Sequence, residues 1–150
     1  MTRGFTGAIV VCVGLSACAQ LQQVLGGGGG PHCTQSNGAC PIDVVVPSNC
    51  TQGSCVAVRP DPTIVGGGAR DVHLKWTLPQ GYSFCDGDAI KFKGGPGNQF
   101  SEPQASGEGR RTYQWKDANT AKGPFPYAVR FHDKECRTLF EIDPVIVNDM

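Results

Sequence analysis

The sequence predicts an all-β domain, an antiparallel sandwich of seven to nine strands, with a closed β-barrel as the alternative. Three observations carry this expectation. Apolar residues alternate with polar ones at a period of two, which places one set on a single face of a strand. Glycine at 21 residues and proline at 11 supply the turns such a fold needs, and no helical period persists beyond two turns. Six cysteines after the N-terminal region form an even set, as in an exported body held by disulfides.

Residues 1–17 read as a signal peptide. Arg3 gives the positive start, and residues 5–15 form an apolar run of 11 residues. Spanning a bilayer takes about 20 residues, so this run suits a signal core. Leu15-Ser16-Ala17-Cys18 resembles the bacterial lipobox, in which the cysteine becomes the first mature residue and carries acyl chains, palmitate among them. The resemblance makes Cys18 the lipidation site. Cleavage after Ala19 is the competing possibility, because Ala17-Cys18-Ala19 fits a looser small-residue pattern. All four lipobox positions match, which favours Cys18. Either cut leaves the same six cysteines: Cys33, Cys40, Cys50, Cys55, Cys85 and Cys136.

Residues 18–40 read as a flexible tether ending in a Cys33/Cys40 loop. Five consecutive glycines, residues 26–30, carry a large chain-entropy cost for ordering. A coil of this length has a reach of roughly 20 Å, enough to lift a small domain off a surface.

Residues 41–150 read as the β-domain. Ile42, Val44 and Val46 open it, residues 48–54 turn, and Val56 and Val58 resume a strand. Pro60-Asp61-Pro62 breaks the run, and glycines 66–68 mark a loop. The clearest strand is residues 71–78. Val72, Leu74, Trp76 and Leu78 share one face, and Asp71, His73, Lys75 and Thr77 the other. Residues 82–85 and 88–93 flank Asp86-Gly87, a hairpin signal. Residues 94–109 are polar and rich in glycine and proline, and read as a long exposed loop. Tyr113 and Trp115 share a face of the next strand. Tyr127, Val129 and Phe131 alternate in the one after it. Residues 133–136 turn the chain back through Phe140 and Ile142, and a last short strand, 145–147, follows Pro144.

This layout resembles small immunoglobulin-like or cupredoxin-like sandwiches over residues 41–148. The resemblance rests on Trp76 in an alternating strand and on the closing Tyr127-x-Val129-x-Phe131 and Asp143-Pro144-Val145-Ile146-Val147 patterns. It does not extend to copper. The only methionine after the first residue is Met150, and His132 precedes Cys136, so the trigonal His/Cys set with its axial ligand is missing. Zinc lacks a paired-cysteine motif, and His32, His73 and His132 are scattered. Asp86-Gly87-Asp88 lacks the further oxygens of a calcium loop. No cofactor is expected.

Catalysis has no support either. No Gly-x-Ser-x-Gly is present, Ser106 lacks a paired base, and Glu102 and Glu108 read as solvated loop charges. Thirteen basic against thirteen acidic residues give no basic face for nucleic acid. Asn49-Cys50-Thr51 matches a glycosylation sequon, which the lipobox resemblance, implying a bacterial source, makes an accidental match. Ala105-Ser106-Gly107 followed by Tyr113 resembles the inhibitory stretch of membrane-bound lysozyme-inhibitor lipoproteins, which implies an enzyme-inhibitor alternative. An uncharacterised envelope enzyme is the other.

The expected function is therefore that of a lipid-anchored, non-catalytic envelope lipoprotein. Its membrane contact runs through Cys18, and its β-domain binds an envelope protein or polymer or has a structural role. Ala19, where lipoproteins of the enteric type carry Asp for inner-membrane retention, implies the outer membrane, facing periplasm or surface. Residues 94–110 with Tyr113 and Trp115 are a candidate contact surface, although burial in the core is the expected fate of both rings. Cys50 and Cys55 bracket a four-residue turn, so hairpin closure brings them into disulfide range. Cys33 and Cys40 bracket a polar loop and form a second local clip. Cys85 and Cys136, each beside a turn, remain as the bridge that closes the longest loop.

Overall fold

The computed structural model describes residues 33–51 and 55–149. The expected signal segment, Cys18 and the tether through His32 lie outside the described residues. The described chain is all-β, folded into two mixed sheets that do not close into a barrel. A 3-10 turn, Glu108–Arg110, interrupts the strands.

The first sheet is organised around β4 (Val72–Thr77), where the alternation of the sequence becomes a buried face. Val72, Leu74 and Trp76 are buried, and His73, Lys75 and Thr77 face out. On one side lies β8 (Thr112–Asp117), antiparallel, setting Trp76 opposite Tyr113 and Leu74 opposite Trp115. Beyond it runs β7 (Phe100–Ser106). On the other side β1 (Ala39–Val45) runs parallel to β4, with Ile42 opposite Trp76, and β2 (Ala57–Arg59) closes that edge.

The second sheet is built on β9 (Gly123–Asp133), the longest strand. Along one edge lie β10 (Leu139–Ile142) and β11 (Val145–Asp149), with β3 (Thr63–Gly66) parallel beyond β11. Along the other lie β5 (Tyr82–Ser83) and β6 (Ile90–Phe92). Between the sheets Trp76, Tyr127, Phe84, Phe131, Ile42 and Leu74 are fully buried, each contributing roughly 1.5–3 kcal/mol of burial energy.

The all-β, two-sheet arrangement agrees with the expectation, and several details differ. Eleven strands are present among the described residues, and two ladders are parallel. Alternation reveals which face is buried and says nothing of direction. After β2 the chain crosses to β3 in the other sheet, so β4 returns beside β1 in the same sense. Asp86-Gly87 does not join a hairpin: β5 and β6 both pair with the same edge of β9. Phe84 and Ala89, both buried, hold the intervening chain, and Arg130 N donates to Ala89 O at 2.7 Å.

Residues 94–109 are not a loop throughout, because β7 lies within them. Its middle is exposed on both faces, which removes the period-two signal. The second sheet also starts earlier than expected, through Pro124 and Pro126. Tyr127 N donates to Pro144 O, so residues 124 and 126 turn their nitrogens away from β11. Neither proline therefore interrupts that ladder.

Three disulfides join Cys33 to Cys40, Cys50 to Cys55 and Cys85 to Cys136, with Cα separations of 5.5, 5.6 and 5.9 Å. Cys33–Cys40 is more than a local clip. Cys40 is buried in β1 of the first sheet. Cys33 lies along β3 of the second, its N–H donating to Ile64 O at 2.9 Å and its carbonyl accepting from Gly66 N at 3.0 Å. A bridge only seven residues long thus ties the two sheets together.

Candidate binding cleft

β8 alternates Tyr113, Trp115 and Asp117 inward, yet only Tyr113 and Asp117 are buried. Trp115 is half-buried at a corner where β6 runs out at Phe92. Two hydrogen bonds fix the aromatic wall there. Trp115 Nε1 donates to Ile90 O at 3.2 Å, and Tyr113 Oη donates to Gly87 O at 2.7 Å. Phe92 meets Trp115 edge to face with ring centroids 5.5 Å apart. Burial, with Asp88 nearby, pushes the Tyr113 phenol above its ordinary pKa and keeps it a neutral donor.

The opposite wall comes from residues 94–110. Pro96 sits in a turn whose Gly95 takes φ 77°, a conformation that favours glycine. Pro103 sits in the irregular part of β7. Together these residues enclose a cleft of about 260 Å³, with Asp88 and Lys91 among its lining. A second recess of about 250 Å³ adjoins it through Phe92 and Gly95 and is lined by Phe125, Pro124 and Pro126. Aromatic faces and proline rings thus form a continuous apolar track. Tyr113, buried as expected, forms its floor, whereas Trp115 is only half-buried.

A larger cleft of about 450 Å³ lies where β5 meets the 3-10 turn, lined by Tyr82, Ser83, Glu108, Arg110, Arg111 and Lys134 among others. Its guanidinium groups hold the backbone. Arg110 Nη1 donates to Cys85 O at 3.0 Å, and Arg111 Nε and Nη2 donate to Leu78 O at 3.2 and 3.1 Å. Ser83 Oγ donates to Gly109 O at 2.7 Å, and Ser83 stands opposite His132 in the β5–β9 ladder.

The other residues singled out in the sequence are dispersed. Glu102 pairs with Lys116 at 3.4 Å, away from Glu108. His73 Nδ1 lies 3.1 Å from Gln114 Nε2, and His132 Nε2 lies 3.9 Å from Asp86 Oδ2. Ser106 ends β7 on the surface, whereas Tyr113 points inward, so the two do not project together. Among the described residues no three His, Cys, Asp or Glu side chains group as metal ligands. No protein-family model matches the chain, and no curated protein matches it.

Proposed function

We propose that this chain is an envelope lipoprotein, anchored through acylated Cys18 and displayed from the outer membrane. Its disulfide-bonded sandwich is a non-catalytic binding domain for another envelope protein or a polymer. The observation that carries the binding reading is the aromatic and proline-lined track around Trp115, an apolar surface with few polar groups placed to do chemistry. Three disulfides fit an oxidising compartment. The anchor rests on the Leu15-Ser16-Ala17-Cys18 match.

The test is cross-linking in intact envelopes, with a photoreactive residue at Pro103 and the full chain otherwise native. A discrete adduct that disappears on Trp115→Ala supports the proposal. An adduct pattern indifferent to Trp115 overturns the binding reading. Cys18→Ser separates the anchor from the site: it should abolish acyl labelling and release the chain from the membrane fraction. A wild-type N-terminus at Gln20 would reject acylation at Cys18.

A further inference from the structure

We propose that Asp117, Asn119 and Asn148 form a binding site for one hard, oxygen-seeking cation, with Ca²⁺ the ion it suits. The three residues come from separate places in the chain. Asp117 ends β8, Asn119 stands in the following turn at φ 47°, and Asn148 lies inward on β11. All three are fully buried.

Hydrogen bonds draw them around one carboxylate. Asp117 Oδ1 accepts from Asn119 N at 2.8 Å, from Asn148 Nδ2 at 3.3 Å, and from Gln99 Nε2. Asn119 Nδ2 donates to Gly66 O at 3.1 Å and Ala69 O at 2.9 Å, which orients its amide. Gln99 is occupied in turn, its Oε1 accepting from Thr120 and Ala121 N–H groups and from the Thr120 hydroxyl.

With every nitrogen of the two amides engaged, three oxygens are left over. Asp117 Oδ2, Asn119 Oδ1 and Asn148 Oδ1 are buried and accept from no donor. Leaving a buried acceptor unsatisfied is disfavoured, and a buried carboxylate needs a counter-charge or a proton. The side-chain partners of Asp117 are all neutral: Gln99, Asn119 and Asn148. One carboxylate and two amide carbonyls are oxygen ligands of the type that hard cations take. A bound cation would supply the missing charge and give these orphaned oxygens a partner. A single carboxylate places the affinity at the weak end, about 10⁻⁴ to 10⁻³ M, the range of extracellular modules.

The test is a thermal unfolding series on the full chain after EDTA treatment. Adding Ca²⁺ to about ten times its dissociation constant should raise Tm by about 4 °C. Asp117→Asn keeps the Oδ1 acceptor and removes the charge, and should abolish the shift. Asn148→Asp adds a second carboxylate and should tighten Ca²⁺ binding about tenfold by calorimetric titration, a readout that stands if Asp117→Asn fails to fold. A wild-type Tm equal in EDTA and Ca²⁺ overturns the proposal, as does a shift that survives Asp117→Asn. Stability that ignores Ca²⁺ and falls as pH rises through neutrality would place a proton on Asp117 Oδ2 and overturn it equally.

Discussion

Trp76 and Tyr127 join the two sheets at the centre of the molecule. Trp76 Nε1 donates to Tyr127 Oη at 3.2 Å, and their rings meet edge to face at 5.4 Å. An indole N–H buried in a sandwich has no water to bond, so the phenol oxygen satisfies it. Burial raises the Tyr127 phenol far above its ordinary pKa, so it remains neutral across the working range. Tyr127→Phe leaves the Trp76 donor without a partner and should destabilise the domain by about 1–3 kcal/mol in urea unfolding. A Trp76→Phe/Tyr127→Phe double mutant should lose less than the sum of the single losses. Strict additivity would mean that the bond contributes nothing.

The Cys85–Cys136 bridge, with a sequence separation of 51, constrains the unfolded chain most. The chain-entropy relation gives it about 4 kcal/mol, against about 2 for Cys50–Cys55 at a separation of 5. Replacing Cys85 and Cys136 by Ser should lower Tm more than replacing Cys50 and Cys55. Cys33–Cys40 should fall between them, because its short loop also ties β1 to β3. Differential scanning calorimetry of the three double-serine variants gives the order directly.

Trp115 reports on the cleft separately from the core. The chain has two tryptophans, and Trp76 is fully buried. A ligand entering the cleft should therefore shift the emission of Trp115 and leave that of Trp76 unchanged. Trp115→Phe should remove the response while lowering Tm only slightly. A response that persists in Trp115→Phe would locate binding elsewhere.

Asp133 caps the turn between β9 and β10. Its Oδ1 accepts from Arg137 N at 2.9 Å and its Oδ2 from Thr138 N at 3.1 Å, which hold the carboxyl below the usual carboxylate range. The ionised form is thus favoured in the folded state. Its contribution is present above the unfolded pKa, near 3.8, and is lost as pH falls through the lower folded value. Asp133→Asn should flatten the decline of Tm below about pH 4 and act less on that slope near neutrality. Identical acid profiles for mutant and wild type would rule out this cap as an acid-sensitive contact.

How much of this was legible follows from what each residue faces. β4 was plain because one face is buried and the other solvated, so its alternation is complete. The disulfide pairs were legible because two of them bracket short turns. β7 was hidden because residues 101–104 are exposed, and exposure on both faces erases the alternation. The parallel ladders were hidden because burial patterns carry no direction. Tyr113 and Trp115 could be named as an aromatic pair. That one is buried and the other lines a cleft depends on where β6 ends, a tertiary fact. Asp117 did carry a signal: it shares the inward register of Tyr113 and Trp115, where a carboxylate is out of place.

The irregular middle of β7 matters for how copies of this chain meet. Glu102 takes φ 59°, Pro103 has no N–H to offer, and the register breaks between Ser101 and Gln104. At the opposite border of the same sheet, β2 is three residues long. Neither border offers a long, straight row of free amides for an incoming strand. Copies of the chain brought close together would find no such row along this sheet on which to add strand to strand.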